Sequence, residues 1–483
     1  MSWVVVPCRS RGKDIEITMI DQDDTQGPDR LGGNRARSRW RWWAVGLAGV
    51  TGLALTTVAV APAAEAVGRS LAAVDDRGDD RGKREEGRRG EGLRDDRGKG
   101  EKGAGDKGKK EARPKGVPVP CDPDALIAAI TLANARGGAV LDLAKKCTYL
   151  LTANIDDGNG LPTITAPITL NGSKHTTIKR AAAVDQFRIV TVGTGGDLTL
   201  NHLKITGGQT EDNGGAILVN TGGTLHLNHS TVTRNIANNG GGIANNGTTT
   251  IKHSTVNRNI ATGQGGGIYS TGLLEIHKSH IDNNTAGSGG GIYAINSTVA
   301  SKGGSISGNQ ATTVGGMFLS TSVGTVTGTR ITGNVTNGGG GGVRAGVGSQ
   351  LTMQHVTLAD NTSGVLAGGL FVSGQEEGES VAVIEDSVIK NNVTTVSGGG
   401  IFNAGQTVLR DTKVNGNEAN QGGGIYNEEV ISLYTTKVVK NIAITDGGGI
   451  FNAGGTVNLN TATGTIVIKN RPNNCVDVPS CPG

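Results

Sequence analysis

Residues Gly265–Tyr293 read GGGIYSTGLLEIHKSHIDNNTAGSGGGIY, so the stretch opens and closes on the same five residues. A glycine triplet before an apolar residue has three chemical readings: it cradles a phosphate, binds calcium or turns a chain. Its recurrence decides among them. The residue after each glycine run is Ile217, Ile243, Ile268, Ile292, Met317, Val343, Leu370, Ile401, Ile425 and Ile450. Neighbours lie about 25 residues apart, with one longer step between Leu370 and Ile401.

Other columns keep step with this one. About eight residues further on comes an apolar strand position: Leu225, Ile251, Ile276, Leu351, Leu409 and Leu433. Then comes an apolar-x-x-Asn unit, whose asparagines are Asn235, Asn259, Asn284, Asn309, Asn334, Asn361, Asn392, Asn417 and Asn441. A period of this length, built from short β-like runs, is one coil of a solenoid. The Gly, Thr and Asn content disfavours helical repeats, and the leucine consensus of leucine-rich repeats is missing. Three short strands joined by turns fit one coil, and stacked coils bury Ile, Val and Leu against one another. That core needs few aromatics, which make up only 3% of the chain. The 81 glycines serve sharp turns and close coil-to-coil approach. Asparagine at the second corner is expected to take the left-handed conformation and to bond to the asparagine one coil away.

The pairing of G-G-G/A-I with apolar-x-x-N resembles the GGAI and FxxN repeats of polymorphic outer-membrane-type proteins, and Gly214-Gly215-Ala216-Ile217 has the GGAI form literally. The chain looks like the pectin-lyase-like right-handed parallel β-helix superfamily, especially secreted Gram-positive members. The likeness covers about Cys121 to Cys475. Two features depart from it. The residue before x-x-N is aliphatic rather than Phe. And only Arg471–Gly483 follow the repeats, so no autotransporter barrel is expected. The fold expected is all-β: a right-handed parallel β-helix with an N-terminal capping helix and a disordered N-terminal region.

The N-terminal third reads differently. Arg35, Arg37, Arg39 and Arg41 precede the apolar run Ala44–Ala61, and the small residues of PAAEA follow. This is the order of a secretory signal cleaved after Ala66; an uncleaved membrane anchor is the alternative. The basic part starts late, so translation from Met19 instead of Met1 is also open. Residues 67–118 read as a disordered linker, because the run Asp75–Lys115 is nearly all charge and glycine. The β-helix is expected over 119–474 and a disulfide-closed tail over 475–483. The net charge of +4 argues against a nucleic-acid partner.

Cys8 is lost with the signal; Cys121, Cys147, Cys475 and Cys481 remain. With about thirteen coils the ends lie roughly 60 Å apart, whereas a disulfide needs Cα atoms within about 7 Å. The pairing expected is Cys121–Cys147 and Cys475–Cys481. In CDPDALIAAITLANARGG, Asp122 is a good N-cap, Pro123 suits the first helical position, and Leu126, Ile127, Ile130 and Ala133 form an apolar face.

Chemistry is sparse. The repeats hold no Gly-Lys-Ser/Thr and no nine-residue calcium motif. Neither a cofactor nor a metal is expected. Cleavage of polysaccharide by inversion needs two carboxylates across a groove. The candidates are Asp156 and Asp157 in the DDGNG turn, Asp282 and Asp360 several coils apart, and Glu376, Glu377 and Glu379 in the longer coil. The Ser/Thr column (Ser230, Ser254, Ser279, Thr329, Thr412, Thr436) reads as a corner stack, not as nucleophiles, with His229, His253 and His277 flanking only early coils. One column has a ligand-binding pattern. Tyr269, Tyr293, Phe318, Phe371, Phe402, Tyr426 and Phe451 each follow the glycine-run residue, and take seven of the chain's five Phe and five Tyr. They form either a stripe that stacks on sugars or a ladder that only stabilises the sheet. The expected function is a secreted or envelope-associated, adhesin-like, monomeric surface protein with a glycan or cell-surface protein partner. A polysaccharide lyase or hydrolase is the alternative, and a membrane partner follows only if the signal is retained.

Overall fold

The computed structural model describes residues 116–374 and 378–481. The signal run, nearly all of the charged linker, Glu376 and Glu377 lie outside the described residues. Among the described residues, no helix is long and apolar enough to cross a membrane.

One coil shows the plan. Strand Ile243–Asn245 is followed by Thr248–Lys252, a corner at His253, Thr255–Asn257, a corner at Arg258, Ile260–Ala261, and the Gly265–Gly267 turn. Equivalent segments pair in parallel with the next coil: Ile243 with Ile268, Thr248 with Leu273, Thr255 with His280, and Ile260 with Thr285. Repeated over about 14 turns, this gives a right-handed parallel β-helix. Its walls are sheets of 23, 9 and 12 strands. A coil therefore has four strand segments, not three, because the long sheet bends once at the Ser/Thr column without ending. At that bend Ser230 N donates to Ser254 Oγ (3.0 Å), and Ser254 N donates to Ser279 Oγ (3.1 Å).

The apolar strand column needs a correction of register. Ile251 pairs with Leu227 and Ile276, whereas Leu225 pairs with Thr249. Leu351 pairs with Gly324 and Ala382, and so belongs with Leu225. A slip of two residues keeps a side chain on the same face, so both columns point inward. Ile268, Leu274, Ile276 and Ile281 of one coil are at most 1% exposed. Burying each such side chain contributes about 1.5–3 kcal/mol.

The glycine triplet is required for three separate reasons. Gly265 has φ +65°, a left-handed turn. A Cβ on Gly266 would lie 2.5 Å from the carbonyl oxygens of Gly290 and Thr285 in the next coil. A Cβ on Gly267 would lie 2.7 Å from Gly291 O and 3.0 Å from Asn284 Nδ2. The third contact ties the turn to the asparagine column.

That column is a continuous ladder. Asn259 N and Nδ2 both donate to Asn284 Oδ1 (3.0 and 3.1 Å), and Nδ2 also donates to Val232 O (3.1 Å). Asn259 Oδ1 accepts from N and Nδ2 of Asn235. Every hydrogen-bonding site of the amide is filled, as burial demands. The pattern runs through Asn309, Asn334, Asn361, Asn392, Asn417 and Asn441, and reaches Asn470, one coil beyond the sequence column. The asparagines themselves are not left-handed. The turn is made one residue earlier, at Arg234, Arg258, Asn283, Asp360, Asn391 and Lys440 among others. This leaves each asparagine free to aim its amide inward.

Both ends are closed. The helix Pro123–Ala135 buries Leu126, Ile130 and Ala133, with Ile127 only partly covered, and Asp122 accepts from Asp124 N (3.0 Å) at its start. Asn134 ties the helix to the first coil through Thr163 O (2.7 Å) and Thr165 N (2.9 Å). The run after it is two strands, Ala139–Leu143 and Thr148–Leu151, split by a corner at Lys146. Cys121–Cys147 and Cys475–Cys481 are bonded, with Cα atoms 5.6 and 6.3 Å apart. Cys475–Val476 pairs with Ile450–Phe451, which carries the 12-stranded sheet into the tail.

Changing Asn334 to Ala strips the acceptor from Asn309 N and Nδ2 and the donor from Ile306 O. Each buried orphan costs about 1–3 kcal/mol, so the denaturant midpoint is expected to fall by the equivalent of about 3 kcal/mol or more. The exposed Lys302→Ala variant is expected to shift stability by less than about 0.5 kcal/mol. Equal shifts would remove the ladder from its structural role.

Candidate functional site

Ile268 and Ser270 face the core at 0% exposure, so Tyr269 between them faces out. Register then stacks Tyr269, Tyr293, Phe318, Arg344, Phe371, Phe402, Tyr426 and Phe451 in one line down the 12-stranded sheet. The seven aromatics thus come together as one column, and Arg344 occupies the single position where a ring is missing. Its position directly after Val343 marks it as a column member, whereas its residue type does not.

The members touch in sequence. Tyr269 and Tyr293 stack at 5.9 Å between centroids, and Phe318 meets Tyr293 edge-on at 5.0 Å. The Arg344 guanidinium lies 5.3 Å from the Phe318 centroid and 4.5 Å from that of Phe371. Phe371–Phe402, Phe402–Tyr426 and Tyr426–Phe451 follow at 5.1, 5.1 and 5.2 Å. Ring faces are therefore spent on one another. Tyr293, Phe371 and Phe402 are only 7%, 9% and 5% exposed, and Ala367 packs against the last two. What the column offers to solvent is ring edges, tyrosine hydroxyls and part of Arg344.

Arg344 Nε donates to Ser373 Oγ (3.2 Å), and no carboxylate among the described residues pairs with the guanidinium. Burial lowers its pKa, an effect Tyr293 partly offsets. Burial likewise pushes the hydroxyls of Tyr269, Tyr293 and Tyr426 above their ordinary value, with Glu428 adding to the rise at Tyr426.

The candidate carboxylates do not assemble. Asp156 accepts from Thr163 N (2.6 Å) and holds the DDGNG turn, where Asp157 is left-handed. Asp360 accepts from Asn391 Nδ2 (3.2 Å), and Glu379 from Gln406 Nε2 (2.7 Å). Asp282 accepts from Ser305 Oγ (2.9 Å) and Ser307 Oγ (2.6 Å), while His280 Nδ1 lies 2.8 Å from Ser305 Oγ. That trio has the residue types of a nucleophilic site. But Ser305 is paired through its backbone to His280 and Arg330 on both sides, so its neighbours' N–H groups are committed to the sheet and not to an oxyanion. Sequence reading missed Glu428. Its carboxyl is pushed up by partial burial in the turn and then by Glu429, although the residue keeps an open side to water. Its signal in the sequence is the adjacent pair Glu428-Glu429 within one turn, rather than carboxylates spaced one coil apart.

Two measurements test this geometry. Arg344→Ala removes a cation from two ring faces and is expected to cost about 1–3 kcal/mol; Arg344→Phe continues the column and is expected to lose less. Ultraviolet titration of the native protein is expected to show tyrosines ionising above 10.0, the ordinary value for Tyr269, Tyr293 and Tyr426. Their folded pKa exceeds the unfolded one, so the stability they contribute is complete below about 10 and is lost as pH rises through the folded values. Native and unfolded titrations that coincide would contradict the burial.

One family model matches the chain, the Chlamydia polymorphic membrane protein (Chlamydia_PMP) repeat, over residues 253–271. That span holds the Asn259 corner, the Gly265–Gly267 turn and Tyr269, the geometric unit of the coil. No curated protein and no solved structure matches. The chain is a parallel β-helix repeat protein whose coil is similar to the polymorphic membrane protein repeat.

Proposed function

We propose that the protein is a non-catalytic, extracellular or envelope-associated surface protein that uses its rigid shaft to bind a glycan. It extends the reading of a secreted, adhesin-like member of the pectin-lyase-like superfamily. The observation that carries it is the unbroken line from Tyr269 to Phe451, with hydroxyls and a guanidinium set among ring edges. Such a line suits an extended polymer better than a small molecule, which needs an enclosing pocket. Two disulfides agree with an oxidising compartment.

The test must separate binding from stability, because removing a ring breaks the stack. Tyr269→Phe, Tyr293→Phe and Tyr426→Phe together keep the rings and delete the hydroxyls. On a glycan array the wild type is expected to bind, and the triple variant to bind at least about tenfold more weakly with unchanged melting, since each lost hydrogen bond is worth about 1 kcal/mol. Equal binding by both would make the column purely structural.

The enzymatic alternative rests on Glu428, a raised carboxyl beside Glu429. Two neighbouring carboxyls, one of them raised by burial, are the kind of pair that acid–base cleavage of a glycan uses. New reducing ends or unsaturated products from plant or bacterial polysaccharide, abolished in Glu428→Gln, would establish it over the binding role.

A further inference from the structure

A second line of side chains runs along the long sheet, and the aromatic column does not touch it. His202, His229 and His253 sit at the same corner of three successive coils. Their rings stack at 4.9 and 5.1 Å, within 5° and 13° of parallel. The residues before them form a parallel line. Asn171 Nδ2 donates to Asp142 Oδ1 (2.9 Å), Asn201 Nδ2 to Asn171 Oδ1 (2.9 Å) and Asn228 Nδ2 to Asn201 Oδ1 (3.1 Å). Lys252 takes the next place. Together Asn171, Asn201, Asn228, Lys252 and the three histidines line an open groove of about 480 Å³.

The turn does not need imidazoles. All three histidines have positive φ, 56°, 48° and 49°. Elsewhere the same corner is made by Lys278, Gly303, Gly328, His355, Asp386, Asp411 and Thr435, only one of them a histidine. The residue type in this groove is therefore free to serve something else.

Charge says what. In the next coils the two lines continue as His277 and Lys302, and as Lys278. Lys204 lies two residues past His202, and Arg234 and Arg258 stand at the following corner, beyond Thr231–Thr233 and Thr255–Asn257. Of the carboxylates on this face, Asp142 accepts from Asn171 and Asp282 from Ser305, while Asp197 and Glu275 lie 3.7 and 3.8 Å from His226 and His277; none of them lines the groove. Among the described residues, Lys204, Lys252, Lys278, Arg234 and Arg258 have no carboxylate within ion-pair distance.

We propose that this groove binds a linear anionic glycan laid along the solenoid axis. The lysines and arginines meet its carboxylate or phosphate groups. Imidazole edges and asparagine amides meet its hydroxyls. A single-stranded nucleic acid fits less well, because bases need free aromatic faces, and here the imidazoles stack on one another. This inference deepens the glycan-binding reading but rests on a different wall of the helix.

The experiment uses the full chain, with polygalacturonate as the carboxylate probe, a phosphodiester-linked mannan as the phosphate probe, and a single-stranded oligodeoxynucleotide as competitor. His202→Asn, His229→Asn and His253→Asn are combined, since Asn accepts a left-handed corner. Lys413→Ala with Lys437→Ala, on later coils of the same sheet, is the charge control. The wild type and the lysine control are expected to bind one of the two polymers, which identifies the anion. The histidine variant is expected to bind it at least about tenfold more weakly, and salt to weaken all three. Melting of the histidine variant checks its fold. Undiminished binding by the histidine variant, loss in the lysine control equal to its loss, no binding of either polymer, or tighter binding of the oligonucleotide would each overturn the proposal. The Tyr→Phe variants leave this groove intact, so failure of the aromatic column and failure of the groove give different results.

Discussion

The fold depends on one contact, the Asn284 amide beneath Gly267. Each coil must come close enough for the asparagine of one turn to reach that of the next at about hydrogen-bond distance. Only a corner without Cβ atoms permits the approach, and only a fully bonded amide tolerates the burial. The glycines and asparagines are thus two halves of one device. Neither helps without the other. That is why they recur in phase although they lie on different corners of the coil.

This interlock made the architecture legible. Side-chain type alone marks a position where Cβ is forbidden and one where four hydrogen-bonding sites must be filled. The disulfide pairing followed from the shape, because a solenoid keeps its ends apart. What was misread has a common cause. The left-handed residue is Arg258, not Asn259, and nothing about an arginine announces a left-handed backbone. The apolar column slipped by two residues because Leu225 and Leu227 both face inward and both are leucine. Periodicity fixes which face a residue is on more firmly than which partner it meets.

The outward positions show the opposite behaviour. There the fold asks for little, so residue type varies and carries other information. Arg344 replaces a ring without breaking contact, because a guanidinium also lies flat against aromatic faces. Histidines replace glycine or aspartate at a corner that any of them can make. In a repeat protein the informative places are those where the chain departs from the cheapest residue that satisfies the coil. By that standard the column at Arg344 and the groove at His202–His253 stand out from the rest of the shaft, and the carboxylates holding turns do not.

The ladder also has a direction, and direction explains the ends. From Asn259 to Asn441, each asparagine donates its backbone N–H and one amide hydrogen to the next asparagine toward the C-terminal coil, and its other amide hydrogen to a carbonyl of the preceding coil; the line begins where Gly208 N donates to Asn235 Oδ1. Such a chain polarises along its length and must finish on an acceptor. It finishes at Asn474, whose Oδ1 accepts from N and Nδ2 of Asn470 (both 3.2 Å). The next residue is Cys475, bonded to Cys481. By the chain-entropy relation the short loop so closed contributes about 2 kcal/mol by restricting the unfolded chain, less than a long loop would. Its place beside the last acceptor gives it a local task as well. It ties down the residue next to Asn474, at the end of the ladder where the last coil has a neighbour on one side only and local opening costs least.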